Sequence, residues 1–136
     1  LVLVGTAGPR GAAAAIAMYV AATLLFLSAL DSARRTQLPR TLVEDTMPKA
    51  LLTTGPFALV RHPFYLAYSL AWLAAPVATH GPFIPVTGLM AVVVYAIAAR
   101  REERQLEAKF GDVFRTYRSQ AGLTAPSIPA LMRSFR

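Results

Sequence analysis

The residues best suited to chemistry in this chain stand at the two ends of a long uncharged stretch. Arg61 directly precedes this stretch, and His62 and Tyr65 lie at its start. No Lys, Arg, Asp or Glu occurs between Arg61 and Arg100. The far end continues as the run "RREER", which supplies two glutamates. A cation, an imidazole and carboxylates can bind an ionic ligand or exchange protons, provided that the fold brings the two ends together.

The composition indicates that these residues belong to a membrane protein of one domain, covering residues 1–136. Hydrophobic residues make up 55% of the chain and charged residues only 15%, which is too little charge to cover a water-exposed surface. The chain has no cysteine, which excludes disulfides, thiolate metal ligands and a cysteine nucleophile. The chain has a formal charge of +7, and its arginines cluster beside the apolar segments. We therefore expect the anionic headgroups of membrane lipids, and no nucleic acid, to bind these arginines.

The elements that must position these residues are apolar helices. Residues 11–30 are uncharged and have the roughly 20 residues that a helix needs to cross a bilayer. The uncharged residues 62–99 are too many for one span, and the turn formers of "THGPFIP" divide them. The sequence therefore predicts an all-α polytopic protein with about three transmembrane helices, the second and third being an antiparallel hairpin of residues 64–79 and 83–99.

The polar segments set the expected orientation. Residues 31–61 form an arginine-rich loop, and arginines also follow the third span, whereas the hairpin turn has none. The positive-inside rule then places both basic regions, and with them the site, in the cytoplasm, here of a bacterial inner membrane. Apolar residues at helical spacing over about 100–120 predict a C-terminal amphipathic interfacial helix, interrupted at Gly111. Because the chain begins with Leu1, we treat its N-terminus as open to an upstream helix.

An antiparallel hairpin brings the two polar clusters together. The first residues of one helix lie beside the last residues of the other, so Arg61, His62 and Tyr65 are expected near Arg100 and the glutamates. Each residue alone has an ordinary structural explanation. Arginines are common at the ends of membrane spans, tyrosines are common at the membrane interface, and Glu–Arg pairs stabilise the solvent-exposed start of a helix. Their combination at one membrane edge is what indicates a site.

The motifs resemble those of a known group of enzymes. "LLTTGPFALVRHPFY" (51–65), a hydrophobic hairpin and "EERQLEAKFGDVFRTY" (102–117) resemble the isoprenylcysteine carboxyl methyltransferase and phospholipid N-methyltransferase families of integral membrane proteins. The similarity covers residues 50–118, and the order and spacing of its parts are more specific than Arg-His-Pro alone. It implies S-adenosyl-L-methionine (SAM) as the methyl donor and a lipid or a small hydrophobic or isoprenoid-type acceptor at the cytoplasmic membrane edge.

The resemblance also implies roles for individual residues. His62 and Arg61 would be catalytic, and Arg100 or Arg101 would contact the substrate. Glu103 is expected to matter less than its neighbour, because one helical step turns a side chain by about 100°. The residues implied for binding the cofactor are Leu51, Leu52, Phe57, His62, Pro63, Phe64, Tyr65 and Glu102.

Four positions depart from the family pattern. Phe57 stands where a tyrosine is usual, Lys49 where a histidine is common, Phe114 where the last motif often has a tyrosine, and about Ala98 where the eukaryotic carboxyl methyltransferases have an arginine that serves the substrate. One alternative is a non-catalytic membrane module in which the departures at Phe57 and Lys49 mark lost activity. A second alternative is a nicotinamide-dependent membrane reductase, because sterol reductases are similar to these methyltransferases in the cofactor region.

Methyl transfer from SAM suits the residues that the chain has. The sulfonium is an activated leaving group, so catalysis rests on holding the acceptor in line and needs no covalent nucleophile. His62 could orient the cofactor, act as a base or simply cap the helix that follows it. The chain's other histidine, His80, lies at the opposite membrane face in the expected topology, so no metal site is predicted.

Overall fold

Four α-helices account for most of the chain in the computed structural model, which describes residues 5–6, 8–36, 51–80 and 84–127. The helices are α1 (Gly8–Thr36), α2 (Pro63–Ala78), α3 (Ile84–Phe110) and α4 (Asp112–Gln120). A short 3-10 helix, Gly55–Ala58, precedes α2. Two strands of two residues each, β1 (Gly5–Thr6) and β2 (Thr79–His80), pair antiparallel. Over these residues the all-α prediction is confirmed, apart from that one strand pair.

The first three helices pack as antiparallel neighbours with α2 in the middle. Near the end of α1, Phe26 contacts Phe64 at the start of α2, with ring centroids 5.4 Å apart. At the other end of this pair, β1 joins β2 directly after α2. Between α2 and α3, Trp72 donates a hydrogen bond to the hydroxyl of Tyr95 over 3.2 Å. The predicted hairpin of the second and third helices is therefore present.

Small residues fill the helix interfaces while large apolar residues face outward. The buried interface alanines are Ala15, Ala22, Ala29, Ala67, Ala74 and Ala99. The first three lie seven residues apart, so they form one stripe along α1 that allows a neighbouring backbone to approach closely. By contrast, Leu24, Leu89 and similar large side chains on α1 and α3 are exposed. An apolar exterior of this extent is typical of helices that face lipid.

Two of the described helices, α1 and α3, are long and apolar enough to cross a membrane. Helices of this length and composition are typical of a membrane protein. At 16 residues, α2 would span only about 24 Å at 1.5 Å per residue, less than a typical bilayer core. The count of three transmembrane helices and the cytoplasmic orientation therefore stay predictions.

The boundaries differ from the predicted ones, most of all after residue 99. The third helix does not end there but continues to Phe110, because Arg, Glu, Gln and Leu are good helix formers and a change from apolar to charged residues does not stop a helix. The first predicted span is also longer, since residues 31–36 belong to α1. The remainder of the predicted loop up to residue 50 lies outside the described residues.

Gly111 separates α3 from α4, as the sequence predicts. Its φ of 53° is a left-handed conformation that side-chain-bearing residues rarely adopt. After this turn α4 packs back on the chain itself, and a cluster forms from Leu106, Phe114, Tyr117 and Ala121. The amphipathic interfacial helix expected over about 100–120 is not confirmed as one element, because its first part continues α3 and its second part is α4. The apolar side chains expected at the membrane surface are instead largely buried within the protein, although Val113 is exposed.

Candidate functional site

The Arg-His-Pro motif starts α2 and places His62 at its first turn. Pro63 takes the first helical position, where a missing N–H costs nothing, and it is fully buried. His62 is the N-cap residue, yet its side chain makes no capping hydrogen bond. Its backbone N–H instead donates to the carbonyl of Leu123 over 3.1 Å. The imidazole is thus available for other contacts, and a simple capping role does not explain it.

His62 lies between Glu102 and Glu103 of α3. Its Nδ1 is 3.6 Å from Oε2 of Glu102, and its Nε2 is 3.5 Å from Oε1 of Glu103. The imidazole side chain is 5% exposed, Glu103 is 12% exposed and Glu102 is 45% exposed. The hairpin therefore brings the start of α2 and the end of the predicted third span into one polar cluster, with a buried carboxylate on one side of the ring and a half-exposed one on the other.

The surroundings of His62 favour its neutral form. Burial is the main cause that lowers the pKa of the imidazole below its usual 6.5, and the nearby Arg61 cation also lowers it. Glu102 and Glu103 act in the opposite direction but do not outweigh the burial. Nε2 is buried and, at 3.5 Å from Glu103, makes no well-formed hydrogen bond. A neutral, incompletely satisfied imidazole is suited to accept or hold a proton.

The guanidinium of Arg61 joins α3 to the end of α4. Its Nε donates to Oε1 of Glu103 over 2.5 Å, and its Nη1 donates to the carbonyls of Arg118 and Ala121. The backbone N–H of Arg61 also donates to the carbonyl of Gly122 over 2.7 Å, beside a parallel bridge between Val60 and Gly122. These contacts occupy the guanidinium with protein groups.

Aromatic rings continue from His62 along the interface of α2 and α3. Tyr65 stacks on the imidazole with centroids 5.6 Å apart, and Tyr95 stacks on Tyr65 at 5.8 Å. Tyr68 and the hydrogen-bonded Trp72 adjoin Tyr95. The polar cluster is thus continuous with an aromatic surface that leads into the apolar part of the helices.

The remaining residues implied for cofactor binding lie on either side of this cluster. Phe64 is half-buried and contacts Phe57 edge-on, with ring centroids 6.0 Å apart. The buried Phe57 offers its backbone carbonyl to the hydroxyl of Tyr117, which donates over 2.6 Å. Leu51 and Leu52 are half-buried. Leu51 packs against the cluster of Leu106, Phe114, Tyr117 and Ala121. It also lines a groove of about 390 Å³ beside α4.

The residues implied for the substrate and the departures from the family pattern are placed as follows. Arg100 and Arg101 are exposed on α3, directly before the glutamates. Phe114 is completely buried in the cluster between α3 and α4, where a phenyl ring needs no hydrogen-bond partner. Lys49 lies outside the described residues. Within the described part of the chain, no group of three or more His, Cys, Asp or Glu side chains is arranged to hold a metal ion.

Two residues of the site are not singled out by the sequence pattern. The helical step predicts that Glu103 turns away from His62, but it faces Nε2, because the ring lies between the two glutamates. Tyr95 stands seven residues before Glu102, which is about two helical turns, so it lies on the same face of α3. That spacing could have identified Tyr95, whereas no sequence signal could have placed the imidazole between the carboxylates.

Comparisons with known proteins agree with the motifs. A family model described as phospholipid methyltransferase matches residues 11–113. The chain is 31% identical over 72 residues to methanethiol S-methyltransferase of Pseudomonas deceptionensis, covering 53% of this chain and 27% of that protein. It is 35% identical over 85 residues to methanethiol S-methyltransferase 1 of Bradyrhizobium diazoefficiens, covering 61% of this chain and 28% of that protein.

A methanethiol S-methyltransferase of Mycobacterium tuberculosis is 34% identical over 67 residues, covering 49% of this chain and 27% of that protein. The chain therefore spans less than a third of the length of these curated relatives. No solved structure matches it significantly.

Proposed function

The chain belongs to the phospholipid methyltransferase family, and from this premise we propose that it forms part of a membrane enzyme that transfers a methyl group from SAM to a small hydrophobic thiol. The observation that carries the proposal is the cluster of His62, Glu102 and Glu103, where the start of α2 meets the last third of α3. It lies within the region that the family model matches. The thiol is proposed because the relatives named above are methanethiol S-methyltransferases.

The side chains around His62 fit the functional groups of SAM. Glu102 is half-exposed and has no Arg or Lys salt-bridge partner among the described residues, so its carboxylate can accept hydrogen bonds from an ammonium group. The stacked rings of Tyr65 and Tyr95 provide an aromatic wall against which an adenine can pack. We propose that Phe57, Phe64 and the chain at residues 51–52 complete the walls of this site.

When bound, SAM supplies an electrophilic methyl group attached to a sulfonium sulfur. The residues of this chain must then hold the acceptor in line and receive the proton that a thiol loses when its sulfur is methylated. His62 is suited to that second task because it is neutral and next to carboxylates that stabilise an imidazolium. The aromatic surface beside Tyr95 provides an apolar approach for a small thiol.

The proposal is tested with purified protein in detergent, SAM labelled in its methyl group, and either methanethiol or phosphatidylethanolamine vesicles as acceptor. We expect label in a volatile thioether, and a decrease in rate of about 100-fold or more for His62→Ala. Glu102→Ala should weaken SAM binding. The matched control is Arg115→Gln, which removes an ion pair between the exposed Arg115 of α4 and Glu107 of α3 and should leave both quantities unchanged.

Other outcomes would replace this function with a named alternative. Label in the vesicle lipid, with none in the thioether, would make a lipid amine the acceptor. Binding of NADPH in place of SAM would favour the membrane reductase. Folded protein that binds neither compound would favour the non-catalytic module.

A further inference from the structure

The two carboxylates beside His62 differ in their own partners. Glu103 is 12% exposed, and its Oε1 is held by Nε of Arg61 over 2.5 Å while facing Nε2 of His62 at 3.5 Å. Glu102 is half-exposed, its only charged neighbour within salt-bridge distance among the described residues is His62 itself, and the neutral side chain of Tyr65 interacts with it. One side of the imidazole therefore meets a fixed, buried group, and the other side meets a group that can move or be solvated.

The buried side must determine which ring nitrogen carries the proton. A neutral imidazole has one N–H and one lone pair. A carboxylate oxygen can only accept a hydrogen bond, so a lone pair on Nε2 facing Glu103 would be repelled in a place that water does not reach. On the Nδ1 side the same repulsion is relieved, because the half-exposed Glu102 can rotate away or be bridged by water.

Glu103 is held firmly enough to serve as this fixed group. The guanidinium that binds it also binds two carbonyls at the end of α4, and the backbone around Arg61 pairs with Gly122. The carboxylate therefore cannot turn away from Nε2 without breaking contacts that join α3, α4 and the start of α2.

We propose that Glu103, held by Arg61, is a positioning residue that fixes the proton of His62 on Nε2 and leaves Nδ1 as the proton acceptor on the side of Glu102. This arrangement gives Arg61 a positioning role that it exerts through Glu103. The inference rests on the proposed function only in treating His62 as a proton acceptor, because the position of the proton exists without SAM or an acceptor.

The groups around the ring determine whether each substitution raises or lowers the pKa of His62. Arg61 approaches from the segment before α2 and Tyr65 from α2 itself, while Glu102 and Glu103 approach from α3. From α4, Tyr117 lies close enough to interact with Arg61 and Glu103. Removing the Arg61 cation should raise the pKa of His62, and removing the Glu103 charge should lower it, because the first disfavours and the second favours the imidazolium.

The experiment is ¹⁵N NMR of histidine-labelled protein in detergent micelles, with a pH titration and no ligand. The chain has two histidines, so His80→Asn assigns the signals. In the unsubstituted protein we expect the proton on Nε2. Glu103→Gln keeps an oxygen that accepts from Nε2–H, so it should retain this tautomer with a lower pKa. Glu103→Ala, which has no acceptor, should lose the tautomer preference.

Arg61→Gln should shift the pKa of His62 upward, opposite to Glu103→Gln, while Arg61→Lys should stay near the parent value. Arg115→Gln, which breaks an Arg–Glu pair whose arginine is 65% exposed, should change neither tautomer nor pKa. A proton found on Nδ1, or shifts of the same sign for Arg61→Gln and Glu103→Gln, would overturn the proposal. The tautomer of His62 in the unsubstituted protein tests the proposal even if Arg61→Gln does not fold. This test does not depend on whether SAM is the methyl donor.

Discussion

At the scale of single residues, the hydroxyl of Tyr117 ties α4 to the segment that carries the Gly-Pro motif. It is buried and donates to the carbonyl of Phe57 over 2.6 Å. Burial raises the pKa of this phenol well above its usual value of 10, and Glu103 adds to the effect while Arg61 opposes it. We expect Tyr117→Phe to lower the free energy of unfolding by about 1–2 kcal/mol, because a buried carbonyl loses its donor.

The contribution of Tyr117 to the free energy of unfolding should decrease at alkaline pH. The folded state keeps the phenol proton above pH 10 while the unfolded state loses it, so this contribution is complete below about pH 10 and declines as the pH rises further. Thermal unfolding in detergent should therefore show a smaller alkaline loss in Tyr117→Phe than in the parent. Tyr19→Phe, at an exposed position of α1, is the control and should change little. An equal alkaline loss in parent and Tyr117→Phe would contradict the prediction.

At the scale of elements, the turn before α2 depends on Gly55. Its φ of 59° is left-handed, and a Cβ at this position would overlap the hydroxyl oxygen of Ser32 in α1. Gly55→Ala should therefore destabilise the protein in two ways, by a backbone cost of about 1–2 kcal/mol and by the collision with α1. Loss of this turn should also misplace His62 and weaken the proposed binding of SAM.

The two contributions can be separated by a second substitution. Ser32→Ala in the Gly55→Ala background removes the colliding oxygen but leaves the backbone strain, so it should restore part of the unfolding midpoint. Gly8→Ala is a useful control, since Gly8 also has a positive φ but a Cβ added there would meet no other atom within 4 Å. If Ser32→Ala restored the unfolding midpoint fully, the left-handed backbone at residue 55 would contribute nothing to the destabilisation by Gly55→Ala.

At the scale of the whole molecule, the open question is how the helices cross the membrane. The positive-inside rule predicts that the arginine-rich parts of α1 and α3 lie in the cytoplasm and that the segment between β2 and α3 lies outside. The chain has no cysteine, so single cysteines can be labelled without background. We expect a cysteine at Gly81 to react with an impermeant maleimide from the outside only. A cysteine at Arg104, an exposed residue of α3, should react only after the cytoplasmic side is opened.

Both positions labelled from the same side would show that the hairpin of α2 and α3 does not cross the bilayer, for which the 16-residue α2 would be the reason. Exchange of the two labelling patterns would reverse the orientation and place His62 outside. The unsubstituted protein serves as the control for non-specific reaction.

Much of the framework follows from local sequence. Uncharged runs of sufficient length form α1 and α3, and the turn formers between residues 79 and 85 separate α2 from α3. Pro63 starts α2, so His62 must lie at the helix start, and an antiparallel hairpin must bring Glu102 towards it. These features depend on contacts within one helix or between neighbouring helices, which is why the motifs and their spacing predict them.

The sequence by itself therefore determined the three apolar helices, the antiparallel pairing of α2 with α3 and the meeting of His62 with the glutamate run. Only the tertiary structure decided that both glutamates face the ring, that Arg61 binds Glu103 and carbonyls near residues 118–121, and that α4 packs on the protein. The physical reason is that these contacts join segments forty to sixty residues apart. Such contacts depend on the path of the backbone through Gly55 and Gly111, which helical periodicity does not specify.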